Sequence, residues 1–301
     1  MKAFVKKILH SLLPDSIYKL LANKPCIVPR YYKGLIGELE QYFDYAREET
    51  PEKNLLLLRK NAHILDKGVQ QENAEPGHGK QCYLDLKKRL AQIPAEWEND
   101  PTVVWSRHVL CNYEKLQQGG LRTEHAECSS SACVSYDNLF TLIRQRRSNR
   151  CFLNKEIAPE TAHSLVKTVH WAASSCNKQP IQVFYTINPD EASVALKCCK
   201  GGTGFSSFIP SLWVFTADTR GYVWPGEAPL PFIDTSLGAQ NLFLAATTLG
   251  ISGTVLSWCQ HTREEEQQLR SLMRIPPEYI IVFCAVLGYA KYDYAVPARK
   301  E

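Results

Sequence analysis

Four arginines fall within seven positions, Arg144, Arg146, Arg147 and Arg150, with Ser148 among them and no acid. Arginines that close a helix and spill into a turn are well placed to hold a phosphate, because guanidinium is a fixed fork of donors that stays charged at any working pH. The plain alternative is a solvated basic turn. A second polar stretch runs Ser174-Ser175-Cys176-Asn177-Lys178-Gln179-Pro180. Asn177 and Gln179 each donate and accept, so together they could read the edge of a planar heterocycle with an imide-like pattern. A simple polar turn is the alternative. Cys176 is a candidate thiol nucleophile at a helix-to-strand turn, but no histidine is fixed beside it, and His170 lies upstream on the helix. Asp234 falls early in a long helical pattern and reads as a structural cap or a surface acid. Gly201-Gly202-Thr203-Gly204 lacks the Gly-Lys-Ser/Thr of a P-loop and lies between a helix and a strand, the wrong order for a dinucleotide fingerprint. It reads as a mobile loop that could flank a ligand.

The surrounding patterns say what must position these groups. Tyr136, Leu139, Phe140, Leu142 and Ile143 recur at helical spacing and lead into the arginines. Leu165, Val166, Val169 and Ala172 mark one side of a helix over 159–173, which runs into the Ser-Ser-Cys turn. Beyond it the spacing predicts a short strand over 181–187, a helix over 189–199, a buried strand over 209–216 and a long small-residue helix over 232–249 stopped by Gly250. A strand over 251–258, a helix capped by Thr262 and reaching Met273, and a strong buried strand over 279–287 complete this part. Residues 1–135 read instead as helical and polar, with helices over 34–46, 52–69, 81–93 and 101–116 and a Ser-, Glu- and Thr-rich linker over 121–135. His63 and His108 fall on these helical patterns and read as packed or surface histidines. The division is a helical extension and linker over 1–135 and an α/β or α+β domain over 136–301.

Composition narrows the function classes. The 301 residues are 45% hydrophobic and 22% charged, with net charge +4, ordinary for a soluble globular protein. The charge splits evenly, with 19 basic and 17 acidic residues in 1–135 against 16 and 14 in 136–301. A nucleic-acid binder would carry a basic face, so that class is set aside. Eleven cysteines, an odd number without framework spacing, suit reduced thiols in the cytosol. Their spacing suits no zinc site: Cys198 and Cys199 are adjacent, and His78 and Cys82 lack a second pair. No apolar run reaches the ~20 residues of a membrane span. Residues 1–13 could form an amphipathic helix with Phe4, Val5, Ile8, Leu9, Leu12 and Leu13 on one face; docking on the protein's own core is favoured over contact with a membrane surface.

Five pieces in order carry a resemblance: Arg146-Arg147-Ser148-Asn149-Arg150, the turn at 174–180, Asp234-Thr235-Ser236-Leu237-Gly238-Ala239-Gln240-Asn241-Leu242, Leu249-Gly250-Ile251-Ser252-Gly253-Thr254, and Leu287-Gly288-Tyr289 ahead of Pro297-Ala298-Arg299. Residues 136–301, a little over half of the chain, resemble the FMN-dependent nitroreductase family. The resemblance implies an α+β fold with a central mixed sheet flanked by helices, and an intimate homodimer with FMN at the subunit interface. It implies that Arg146, Arg147, Ser148 and Arg150 hold the phosphate, ribityl chain and pyrimidine edge, with Arg150 near N1 and O2. Ser175, Asn177 and Gln179 would line the ring edge, Ser257 and Trp258 would offer backbone groups near N5 and O4, and Arg299 or Lys300 would return to the phosphate. NADH or NADPH would deliver hydride to flavin N5, and electrons would pass to a small-molecule acceptor in a ping-pong cycle that needs no protein nucleophile.

The sequence also departs from the family. Ile181 stands where an aromatic residue often follows Gln-Pro, and the 200–208 loop is not a general family feature. Arg59-Lys60-Asn61-Ala62-His63-Ile64-Leu65-Asp66-Lys67-Gly68 resembles a helical extension on bacterial nitroreductase-like proteins associated with surface-polysaccharide genes. Two other readings stay open: a flavin enzyme of different chemistry, dehalogenation or flavin fragmentation, and a non-enzymatic flavin-binding or assembly protein.

Overall fold

The computed structural model describes residues 45, 47–71, 75–119, 133–202, 204–259 and 261–299. The expectations for residues 1–13, the helix over 34–46, most of the linker over 121–135 and the role of Lys300 lie outside these residues.

The chain opens with three helices, α1 (Pro51–Val69), α2 (Lys80–Leu90) and α3 (Pro101–Gln117). Local chemistry starts two of them. The Thr50 hydroxyl accepts the Lys53 N–H and the Asp100 carboxylate accepts the Thr102 N–H, each followed by a proline whose missing donor costs nothing at that position. Leu58, Ala62, Leu65, Leu86, Val103 and Val109 close a core of their own between the three helices.

The second part holds α4 (Tyr136–Gln145), α5 (Pro159–Val169), β1 (Ile181–Thr186), α6 (Pro189–Leu196), β2 (Leu212–Asp218), α7 (Leu230–Thr248), β3 (Ile251–Leu256), α8 (Arg263–Met273) and β4 (Tyr279–Tyr289). The class is α+β. The strands order as β1-β2-β4-β3, and side chains alternate between two cores. Leu212 and Val214 of β2 with Cys284 and Val286 of β4 face α6 and α8. Trp213 and Phe215 with Ala285 and Leu287 face α5 and α7.

Among the described residues every ladder is antiparallel, so the parallel part of the expected mixed sheet is not formed. The topology gives the reason. β2 and β3 are parallel and joined through α7, but they are not neighbours, because β4 inserts antiparallel between them. The helical crossover is present without a parallel ladder beside it. Predicted elements otherwise recur with shifted ends: the strand expected from 209 begins at Leu212, the helix expected to 199 stops at Leu196, and the helix expected to 173 stops at Val169. No helix among the described residues is long and apolar enough to cross a membrane.

Candidate functional site

The arginine stretch leaves α4 at Arg146 and is pinned to the β3 edge of the sheet. Asn149 is buried; its Nδ2 donates to Ser252 Oγ at 3.0 Å, and its carbonyl accepts from Thr254 Oγ1 at 2.7 Å. The next residues run beside the end of β4, with Phe152 bridging Ala290 and Leu153 N donating to Tyr289 O. Gly288 admits this approach: a Cβ there would stand 2.2 Å from Pro210 and 2.9 Å from Phe152. The glycine-rich loop packs on the same segment, since Ser206 N donates to Arg150 O and Phe205 stacks on Phe152. Its Thr203 lies outside the described residues.

Arg146 and Arg147 are half-buried, while Ser148, Arg150 and Arg299 are exposed. None of these arginines forms an ion pair among the described residues. Burial, with the charges of Arg299 and Arg147 next, pulls the Arg146 guanidinium below its usual value, which brings the tail arginine back to this corner. Arg147 donates to the carbonyls of Arg144 and Arg146 through Nη1, yet its buried Nε has no partner. Three like charges, mutually repelling and unneutralised, with an orphaned buried donor, fit a phosphate dianion.

The polar turn sits at the opposite edge, ahead of β1. Cys176, Asn177 and Gln179 all have positive φ, at 52°, 54° and 52°. Left-handed backbone costs a residue with a Cβ about 1–2 kcal/mol, less for asparagine, so the turn must be held from outside. The main holder is Asp234, 3% exposed on α7. Its carboxylate accepts Ser175 N at 3.0 and 3.1 Å, Ser175 Oγ at 2.9 Å and Tyr222 Oη at 2.8 Å. The sequence allowed a surface acid here; burial makes it a clamp. Gln179 N donates to Ser174 Oγ, and Gln179 Nε2 donates to Asn177 Oδ1. That pairing leaves Asn177 Nδ2 and Gln179 Oε1 without a partner among the described residues, one donor and one acceptor side by side. Ser175, expected at a ring edge, spends its hydroxyl hydrogen on Asp234.

Lys178, 0% exposed, was not singled out by the sequence. Its ammonium pairs with Glu227 at 2.6 Å and lies over the Tyr222 ring at 4.3 Å. Burial alone would raise the Glu227 carboxyl, but the Lys178 ammonium, the Trp224 N–H and Lys60 hold it below the usual carboxylate range. Cys176 is half-buried, and no histidine hydrogen-bonds to it among the described residues. Ser257 and Trp258 follow β3. Ser257 is exposed and accepts from Cys259 N, whereas Trp258 is buried, stacks on His261, and has its carbonyl bonded by the His261 ring. The Trp258 N–H has no hydrogen-bond partner among the described residues.

The two halves do not meet within one copy. Ile181, just after the turn, pairs with Ala217, and Ala217 pairs with Ile280. Thr254 and Ser252, which hold Asn149, pair with Val286 and Gly288. The anchors lie six to eight residues apart along β4, roughly 20–26 Å, and three strand spacings apart across the sheet, roughly 14 Å. That exceeds the span of a mononucleotide. Beside them, Tyr136, Leu139, Phe140 and Ile143 on α4 and Ile233 and Leu237 on α7 expose apolar surface.

Residues 143–197 match the sequence profile of the nitroreductase family. A curated protein of Archaeoglobus fulgidus, named a candidate NADH dehydrogenase/NAD(P)H nitroreductase, is 32% identical over 155 residues, covering 50% of this chain and 84% of its own. Among solved structures, the NADPH:FMN oxidoreductase of Vibrio harveyi complexed with NAD+ is 19% identical, with TM-score 0.46, over 54% of this chain and 72% of its own. An FMN-dependent nitroreductase of Clostridium difficile is 18% identical, with TM-score 0.45, over 53% and 91%.

Proposed function

The chain belongs to the nitroreductase family of flavin oxidoreductases, and from that premise we propose that it is an FMN-dependent NAD(P)H oxidoreductase whose site is completed by a second copy of the chain. The observation that carries this reading is the pair of half-sites at opposite corners of the sheet. Two copies packed through the exposed faces of α4 and α7 would set the arginine corner of one against the polar turn of the other. Bound FMN would supply the redox chemistry, accepting hydride from NADH or NADPH at N5 and passing electrons to a small-molecule acceptor in a ping-pong cycle.

The chain's own residues bind and orient. Arg146, Arg147, Ser148 and Arg299 would neutralise the phosphate, and Arg150 would stand near N1 and O2 to favour negative charge there. Asn177 Nδ2 and Gln179 Oε1, from the second copy, offer the donor and acceptor that a ring edge needs. The Trp258 N–H after β3 would be a backbone donor toward the ring. The nine described cysteines are free thiols, which suits a reducing compartment such as the cytosol.

The test is a visible spectrum of the purified chain, followed by anaerobic NADH or NADPH. We expect a flavin spectrum that bleaches, and an Arg146→Ala variant that binds FMN about tenfold or more weakly, the loss of a charge-assisted bond. A flavin spectrum that no nicotinamide bleaches would favour a binding or assembly protein. A chain that neither retains nor takes up FMN would overturn the assignment.

A further inference from the structure

We infer that the three-helix unit α1–α3 is a working part of the flavin-edge half-site, with Arg59 as the positioning residue that holds the polar turn in shape. The inference rests on the FMN reading above and extends it to helices for which that reading has no use.

Glu52, Leu56, Arg59 and Lys60 of α1, spaced as one helical face, reach the turn and the segment after β2. Glu52 pairs with Arg220 at 3.2 Å, and Leu56 lies against Gly221, where an added Cβ would stand 3.1 Å from it. Arg59 Nη1 donates to the Lys178 carbonyl at 3.2 Å, and its Nε donates to Thr102 Oγ1 at 2.8 Å. Lys60 stands 3.9 Å from Glu227, the carboxylate that pairs with the Lys178 ammonium. Lys178 is thus held at both ends, its carbonyl by α1 and its ammonium by a glutamate that α1 also touches.

Lys178 sits between Asn177 and Gln179, both left-handed and both bearing the amides offered to the ring. A peptide between two such residues has little to keep it there by itself. Asp234 fixes the turn at Ser175, and Ser174 receives the Gln179 N–H. Arg59 supplies the one side-chain bond to the Lys178 carbonyl among the described residues. Releasing it frees that peptide to rotate, and rotation would misalign Asn177 Nδ2 and Gln179 Oε1 without touching the arginine corner. The Arg59 bond to Thr102 lies inside the helical unit, so it is the Nη1 donor to Lys178, not the tie to α3, that acts on the turn.

The experiment compares full-length wild type, Arg59→Met and Thr102→Val. Methionine keeps the unbranched stem and removes the donors. Thr102→Val cuts only the bond inside the helical unit and serves as the packing control. FMN and riboflavin are titrated into each apoprotein by fluorescence quenching, the visible circular dichroism of the saturated forms is recorded, and thermal melts report folding. Arg59→Met should raise the dissociation constants of FMN and riboflavin by the same factor, about tenfold for a lost charged donor, and alter the flavin dichroism. Thr102→Val should leave both near wild type. Equal losses in Arg59→Met and Thr102→Val, or unchanged affinity and dichroism in Arg59→Met, would overturn the inference while leaving the FMN reading intact. A wild type that binds neither flavin would sink the FMN reading and this inference together.

Discussion

Asp234 gives the sharpest prediction of stability. Its carboxylate is buried and receives three donors, the backbone and hydroxyl of Ser175 and the Tyr222 hydroxyl, all at 3.1 Å or less. Asp234→Asn keeps the shape but leaves one acceptor oxygen and turns an NH2 toward a donor. Hydrogen bonds to a charged acceptor contribute about 1.5–3 kcal/mol each, and a buried donor left unserved costs about 1–3. Some bonding survives at the remaining oxygen, so the expected loss is about 2–4 kcal/mol. For a chain of this length that lowers Tm by roughly 3–6 °C. Ser175→Ala removes only the 2.9 Å hydroxyl bond and should cost about 1.5–3 kcal/mol. Urea unfolding of the three proteins, followed by tryptophan fluorescence, measures both losses, and FMN titration of each should show weaker binding in the same order. If Asp234→Asn unfolds within about 0.5 kcal/mol of wild type and binds FMN equally well, the clamp does not hold the turn.

The carboxylates make acid stability a second test. Glu227, Glu265 and Glu266 are all held below the usual range by basic or N–H partners that outweigh their burial. Groups whose folded value is depressed contribute stability that is fully present above the ordinary carboxylate range and lost as pH falls through the folded value, so unfolding free energy should fall from roughly pH 5 downward. Glu227→Gln should be less stable at pH 7, because Lys178 loses its counter-ion, yet should fall less steeply with acid; an unchanged slope would contradict the pairing. The proposed contact between copies predicts that Ile143→Glu and Leu237→Glu, at side chains 44% and 47% exposed, change protomer stability by less than about 0.5 kcal/mol. Light scattering should nevertheless find monomers that no longer retain FMN, and dimers of unchanged affinity would refute that interface.

The sequence by itself determined the local events. Thr50, Asp100 and Thr262 start their helices by side-chain bonds two to three residues long, and these are legible because donor and acceptor lie within one turn. The arginine cluster, its lack of acids and the Asn177 and Gln179 amides were legible for the same reason, whereas apolar periodicity left the class open between α/β and α+β and the family resemblance supplied the choice. What only the tertiary structure decided lies between residues far apart in the chain. Asp234 meets Ser175 across 59 positions and Arg59 meets Lys178 across 119; no local pattern separates such an acid or arginine from a solvated one. The antiparallel insertion of β4 between β2 and β3 is equally silent, because helical crossovers look alike whether or not their strands end up adjacent. That strand order sends the arginines and the turn to opposite corners of one sheet. A list of candidate binding residues can be read from the chain, but only the strand register says that one copy cannot bring them to the same ligand.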